Sequence, residues 1–241
     1  MAAKFEVSEA EPQDADAIAL LFALSWASPF THLQFGQVDP AQLATSMVPR
    51  IAEQMAKENS RFVVARHQKT HGVAAVAQWT LPAEEGSESV NSETQEDSEE
   101  RQQFEDEVYK RSLPDSSNRD LVMDFTLGLR RLREETLQGR KHFLLENLAT
   151  HPDYRGMGLA SRLIQREVNF ANERQMLMYL DTASDNPAAS LYKKLGFEEQ
   201  GRNTIEDLSK YASLDYIRQL GCDTRHTHVA FLRYPDALSD T

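Results

Sequence analysis

The chain has 241 residues, 40% of them apolar and one of them a cysteine, with a formal net charge of −12. That is enough apolar chain for a sizeable core, while the single thiol, Cys222, excludes an intramolecular disulfide and argues against a multi-cysteine zinc site. Most of the charge is local: residues 83–107 hold eleven acids and one base, and no basic stripe with interleaved aromatics points to nucleic acid.

No apolar run approaches the ~20 residues of a membrane span, and the first residues lack a signal peptide's basic and apolar regions, so the expectation is a cytoplasmic protein with no membrane contact. Lys4 to Ser8 alternates as a short strand. Pro12 then opens a helix with Ile18, Leu21, Phe22 and Trp26 at helical spacing. The stretch 28–40, SPFTHLQFGQVDP, reads as a loop. Asp39-Pro40 starts a second helix with Leu43, Met47, Ile51 and Met55 on one face. RFVVARH and GVAAVAQWT are two strands joined by a polar turn. The region 83–118 is rich in Glu and Ser, buries too little to offset its ordering entropy, and is expected to be a disordered acidic insertion. Asp120 to Gly139 returns to a helical pattern.

The order is cleaner from there. KHFLLENLAT is a strand, HPDYRG a turn, and MGLASRLIQREVNFANERQ a helix with Leu159, Leu163, Ile164, Val168 and Ala171 on one face. MLMYLDT is a strand. NPAASLYKKLG is a short helix stopped by Gly196, and FEEQGR opens another strand. Residues 203–224 are a helix candidate, and RHTHVAFLRYP is a last strand.

The turn before the long helix presents Arg155-Gly156-Met157-Gly158. A helix N-terminus carries unpaired N–H groups and the positive end of the helix dipole, and glycines let those groups approach an anion. Taken alone, the turn is either structural or a phosphate cradle. A dinucleotide fingerprint is a rival, with Asp181 as its ribose-binding acid. Against it, the third glycine position is Ser161, a polar turn separates strand from glycines, and the unit lies mid-chain.

LENLATHPDYRGMGLASRLI resembles the acetyl-CoA-binding core of the GNAT-type N-acetyltransferase superfamily, whose R-x-x-G-x-G/A pattern is filled by Arg155, Gly158 and Ala160. DNPAASLYKKLGFEE is similar to a later motif of the same family, a short helix carrying Leu-Tyr before Leu-Gly-Phe. Together the blocks cover residues 142–200. The resemblance implies an α/β (α+β) fold: one domain over 1–241, with a mixed, mostly antiparallel twisted sheet flanked by helices. It implies acetyl-CoA as co-substrate, no metal, and an amine acceptor that is a small molecule or a peptide. Folds of this kind often dimerise, so a homodimer is one assembly open to the chain. The cofactor-binding residues it implies are Leu148, Ala149, Thr150, Arg155, Gly156, Met157, Gly158, Leu159, Ala160 and Asn186. Asn186 lies six residues before Tyr192, where many members place an asparagine at seven.

The resemblance also implies direct transfer, with the amine attacking the thioester and no covalent enzyme intermediate. A base must take the amine proton. Strand periodicity puts residues 142, 144, 146, 148 and 150 on one face, and Glu146 is a charge in an otherwise apolar strand, where it is costly unless paired or used. Glu146 is therefore the expected base and His142 the second choice. A backbone N–H near Leu148 is the expected oxyanion donor, and Tyr192 the expected acid for the departing thiolate. His226 and His228 alternate on the last strand as candidate walls of the acceptor pocket. The acidic segment is suited to attracting a cationic amine. Two other readings remain open at this point: a non-catalytic acyl-CoA-binding or scaffolding protein, and a nicotinamide-dependent oxidoreductase using Gly156, Gly158 and Asp181.

Overall fold

Runs rich in valine, alanine and aromatic side chains favour a pleated, half-buried surface, and they supply the strands. The computed structural model describes residues 4–82 and 95–236. In it, β1 (Phe5–Glu9), β2 (Ser60–His67), β3 (Val73–Thr80), β4 (His142–Thr150), β5 (Leu177–Ala183), β6 (Glu198–Ile205) and β7 (His226–Arg233) form one sheet. Its order is β1-β2-β3-β4-β5-β7-β6. Every neighbouring pair is antiparallel except β4 and β5. Parallel neighbours need a crossover, and α6 (Leu159–Glu173) provides it.

One face of the sheet carries α6 and α7 (Ala189–Lys194) over a core of Phe143, Leu145, Trp79, Leu163, Ile164, Met178 and Phe231. The five residues expected on the inner face of α6 are all buried there. The opposite face is covered in two parts. Over β2 and β3 lie α1 (Ala15–Ser25) and α3 (Pro40–Met55), which bury Ile18, Phe22 and Ile51 against Phe62, Val64 and Val76. Asp39 caps α3 by accepting from the N–H groups of Ala41 and Gln42, both at 3.0 Å. Over β5, β7 and β6 lies α5 (Arg119–Leu137), with Leu132 and Leu137 against Tyr179, Ala230 and Leu232. A glycine lets α5 sit this close: a Cβ at Gly128 would come within 2.5 Å of the Asn203 amide nitrogen on β6.

Three expectations are corrected. The stretch 28–40 is not all loop, because α2 spans Pro29–Phe35, with Pro29 in the first turn and Ser28 accepting from Thr31 N–H at 3.1 Å. Residues 203–224 are not one helix: β6 runs on to Ile205, and α8 covers only Leu214–Gln219. Within the expected disordered insertion 83–118, residues 83–94 lie outside the described residues, but Gln95–Ser112 is a helix, α4. Its ordering has a physical source that composition hides. Asp106 takes a two-pronged bond from Arg130 of α5 at 2.6 and 2.8 Å, and Lys110 meets Asp120 at 3.0 Å. The pairs Arg101–Glu105 and Glu107–Arg111 sit one turn apart on the helix.

Candidate active site at the fork of the sheet

The ladder between β4 and β5 has three rungs, His142–Leu177, Phe143–Met178 and Leu144–Tyr179. Beyond Leu144 the two strands part. β4 continues on β3 through Thr150, and β5 continues on β7 through Ala183. The facing backbone edges of Leu145–Thr150 and Leu180–Ala183 are therefore left without each other as partners. A crevice at the carboxyl ends of parallel strands is where open α/β sheets bind ligands.

The Arg155–Gly158 turn lies at this same end of β4. Gly156 and Gly158 both adopt left-handed φ angles, 75° and 73°, and nothing lies within 4 Å of where a Cβ would stand at either. Gly158 is the N-cap of α6, and no side chain caps that end. The first N–H groups of this fifteen-residue helix thus have no side-chain cap, and beside them stands an exposed Arg155 whose Nε reaches back to Thr150 O at 3.4 Å. Met157 is exposed, Leu159 is a buried packing residue, and Ala160 is half-buried. Asn186 is occupied locally: its Nδ2 donates to Thr182 Oγ1 at 2.7 Å and its Oδ1 accepts from Ala188 N–H at 3.0 Å, at the start of α7.

The expected single face of β4 does not survive its whole length. The β3–β4 register slips between Gln78 and Trp79, a β-bulge in which Glu146 and Asn147 both stand where one residue would. Glu146 accepts from Thr80 Oγ1 at 3.0 Å, and Asn147 donates to the Gln78 amide oxygen at 2.9 Å. The bulge reverses the alternation, so Leu148 packs with the α6 core while His142, Leu144 and Glu146 stay on the α5 side. Glu146 is also exposed, so the burial cost that singled it out in the sequence does not arise.

Burial pushes the Tyr192 phenol up to about 12, and the charge of Asp181 adds to the shift. The ring is buried among Phe197 and Phe231, each 6.1 Å away between centroids. Asp181 sits on β5, its carboxyl pushed up to about 6 by burial and by Glu146, against the opposing pull of Arg133. In the sequence Asp181 serves only the dinucleotide rival; a charge two places past Tyr179 in an apolar strand is the signal that marks it. His142 is held below the usual histidine range, chiefly by burial.

His226 and His228 are packed among aromatic rings and against each other. His226 stacks on Phe30 with centroids 3.5 Å apart and bonds His228 ring to ring at 3.0 Å, while Phe125 meets His228 edge-on. Burial holds the two imidazoles near about 4 and about 3, so both stay neutral in the fold and become protonated on unfolding. The unfolded chain then binds more protons between those values and about 6.5, and stability falls as pH drops through that window. Stability at pH 4.5, measured by melting, should be lower than at pH 7 by roughly 5 kcal/mol at most. A His226→Gln, His228→Gln variant should show a flatter profile, and an equally steep one would assign the acid sensitivity elsewhere.

A shallow groove of about 570 Å³, lined by His32, Ser116, Asn118, Arg119 and Tyr211, opens at the start of α5. None of the fork residues lines it, and the chemistry-bearing groups converge at the fork instead.

Comparison with known proteins agrees with this geometry. A family model described as the GNAT acetyltransferase domain matches residues 124–199. The fold is similar to that of arylalkylamine N-acetyltransferase 2 from Aedes aegypti, with a TM-score of 0.60 at 14% identity over 96% of this chain and 99% of that one. It is also similar to an acetyltransferase of the GNAT family from Streptococcus pneumoniae, with a TM-score of 0.50 at 15% identity over 96% and 99%. No curated protein sequence matches the chain. The mixed sheet and its fork are the fold of these structures, and residues 124–199 match a GNAT acetyltransferase domain, which supports an acyltransferase. The nicotinamide reading falls with this, since a dinucleotide fold needs a largely parallel sheet and this one has a single parallel contact.

Proposed function

We propose that the protein is a cytoplasmic N-acetyltransferase that moves the acetyl group of acetyl-CoA directly to a primary amine, on a small molecule or a peptide, within a ternary complex. The observation that carries this reading is the coincidence, at one end of the sheet, of a free strand edge and an uncapped helix N-terminus. The amides of the pantetheine arm suit the free edge of Leu148–Thr150, and the pyrophosphate suits the N–H groups from Gly158 to Ala160 with Arg155 alongside. A backbone N–H near Leu148, on the stretch of β4 that has no β5 partner, supplies the oxyanion donor.

The acid is Tyr192. A phenol at about 12 remains protonated at neutral pH, so the donor form is always present. It is a weaker acid than a thiol of roughly 8.5, so its contribution is a hydrogen bond to the sulfur as charge develops there. A buried phenol without its hydroxyl still packs, so Tyr192→Phe should lower kcat by roughly 10- to 100-fold while the Kd for acetyl-CoA moves less than about threefold. Equal loss of both would make Tyr192 a packing residue only.

Thermal shift tests the reading as a whole. Acetyl-CoA and CoA at a hundred times their Kd should stabilise the protein by about 2.7 kcal/mol and NADH should not. Stabilisation without turnover on any amine would favour the acyl-CoA-binding alternative.

A further inference from the structure

Two carboxylates flank the fork from opposite strands. Leu144 and Tyr179 form the last rung, and the residues two places further on, Glu146 and Asp181, project to the same face as that rung. The bond from Thr80 fixes Glu146 on that face, because Thr80 pairs with Leu144 across β3 and β4. α5 covers the Asp181 side and brings the Arg133 guanidinium to 4.0 Å from the carboxylate and 5.6 Å above the Tyr179 ring. Asp181 is 13% exposed in its side chain. Beneath it, the Tyr179 hydroxyl is fully buried, is coupled electrostatically to Asp181 and Arg133, and meets no partner at hydrogen-bond geometry. Nε of Arg133 is likewise buried and unpaired. The groups acting on Asp181 are thus Glu146 from β4, Tyr179 from its own strand, Arg133 from α5 and Tyr192 from α7, with His142 beyond, edge-on to Tyr179 at 6.1 Å.

We propose that Asp181, paired with Glu146 across the fork, receives the acceptor amine as an ammonium ion and is the residue that takes its proton. This rests on the acetyltransferase reading above and supplies the base it leaves unassigned, in place of the Glu146 expected from the sequence: Glu146, solvated and tied to Thr80, holds the cation, and the less solvated Asp181 is the base. Arg133 is a positioning residue that keeps Asp181 ionised. An ionised carboxylate that is nonetheless easier to protonate than an ordinary aspartate suits this task, and the carboxyl at about 6 has that property. In the step itself, one ammonium proton passes to Asp181 and on to water. The amine lone pair then forms the C–N bond at the thioester carbon. As the C–S bond breaks, the second nitrogen proton leaves through solvent and one proton is delivered to sulfur, giving amide, CoA thiol and one released proton.

The test uses the full chain with acetyl-CoA and three probe amines: phenethylamine, spermidine and a lysine-containing peptide. Wild type should show kcat/KM rising with pH through a limb near 6. Asp181→Asn should lose roughly 100- to 1000-fold in kcat with Kd for acetyl-CoA nearly unchanged, and the limb should vanish. Glu146→Gln should raise KM for the amine and move the limb to lower pH, a displacement that a purely structural role would not cause. Carbon-13 carboxyl NMR reads the same pair without turnover: one aspartate should titrate well above the rest, vanish in Asp181→Asn and shift down in Glu146→Gln. Full turnover with Asp181→Asn, or aspartates that all titrate together, would overturn the assignment. Failure of wild type to bind acetyl-CoA would instead remove the acetyltransferase reading itself.

Discussion

Replacing Arg61 by methionine is expected to cost the fold about 3 kcal/mol at pH 7. Arg61 on β2 donates through Nη1 to Glu167 Oε2 on α6 at 3.2 Å, and its guanidinium lies 4.1 Å over the Phe170 ring. Glu167 is almost sealed, 1% exposed, and burial already raises its carboxyl above the usual range against the pull of Arg61 and Arg166. Without Arg61 the carboxylate keeps only Arg166 Nε, 3.7 Å away. A buried charge stripped of its main partner costs far more than the intact pair contributes. The sign with pH follows. A carboxyl raised in the fold destabilises it at high pH and ceases to do so as pH falls towards its unfolded value near 4.5. The deficit of Arg61→Met should therefore shrink in acid, and Arg61→Met with Glu167→Gln should lose only about 1 kcal/mol. Urea unfolding at pH 7 and pH 5 measures both. A pH-independent deficit would mean that stacking on Phe170, not charge, is what Arg61 supplies.

Gly158→Val should weaken acetyl-CoA binding by roughly 100-fold while moving the melting temperature by only a few degrees. The two effects separate because of where this glycine sits. Its Cβ would meet nothing within 4 Å, so the fold loses only the strain of a left-handed φ on a branched residue, about 1–2 kcal/mol. A ligand approaching the first N–H groups of α6 would meet the new methyls at once. Calorimetric titration alongside a melt distinguishes the cases. Unchanged affinity would show that the phosphates bind away from this turn.

Much of this site is readable in one dimension because its parts are local. Strand, glycine turn and amphipathic helix follow one another in residues 142–173, and each is written in nearest-neighbour chemistry: alternation, left-handed glycines, 3.6-residue periodicity. Tyr192 was legible because Leu191, Tyr192, Leu195, Gly196 and Phe197 form a compact block, and Gly196 does end α7 with φ 84°. What escaped reading depends on partners far along the chain. The bulge at Glu146 is a mismatch in length between β3 and β4, and neither strand shows it alone. The order of α4 depends on Arg130, 24 residues beyond Asp106. Asp181 became a candidate only when α5 laid Arg133 beside it and the fork set Glu146 opposite. Its residue type was visible throughout, but its desolvation was not.

Three rungs join β1-β2-β3-β4 to β5-β7-β6. The sheet is therefore two rafts sharing a short seam, and α6, packed on β3 and β4 and also on β5, is the main strut between them. Mechanically the seam is the soft line of the molecule, since the unmade rungs lie along the direction that would resist splaying. An extended molecule that hydrogen-bonds along both open edges would lengthen the seam without changing a residue. Occupancy of the fork would then be felt as stiffness at β1 and β6, the two outer margins, far from any atom that undergoes chemistry.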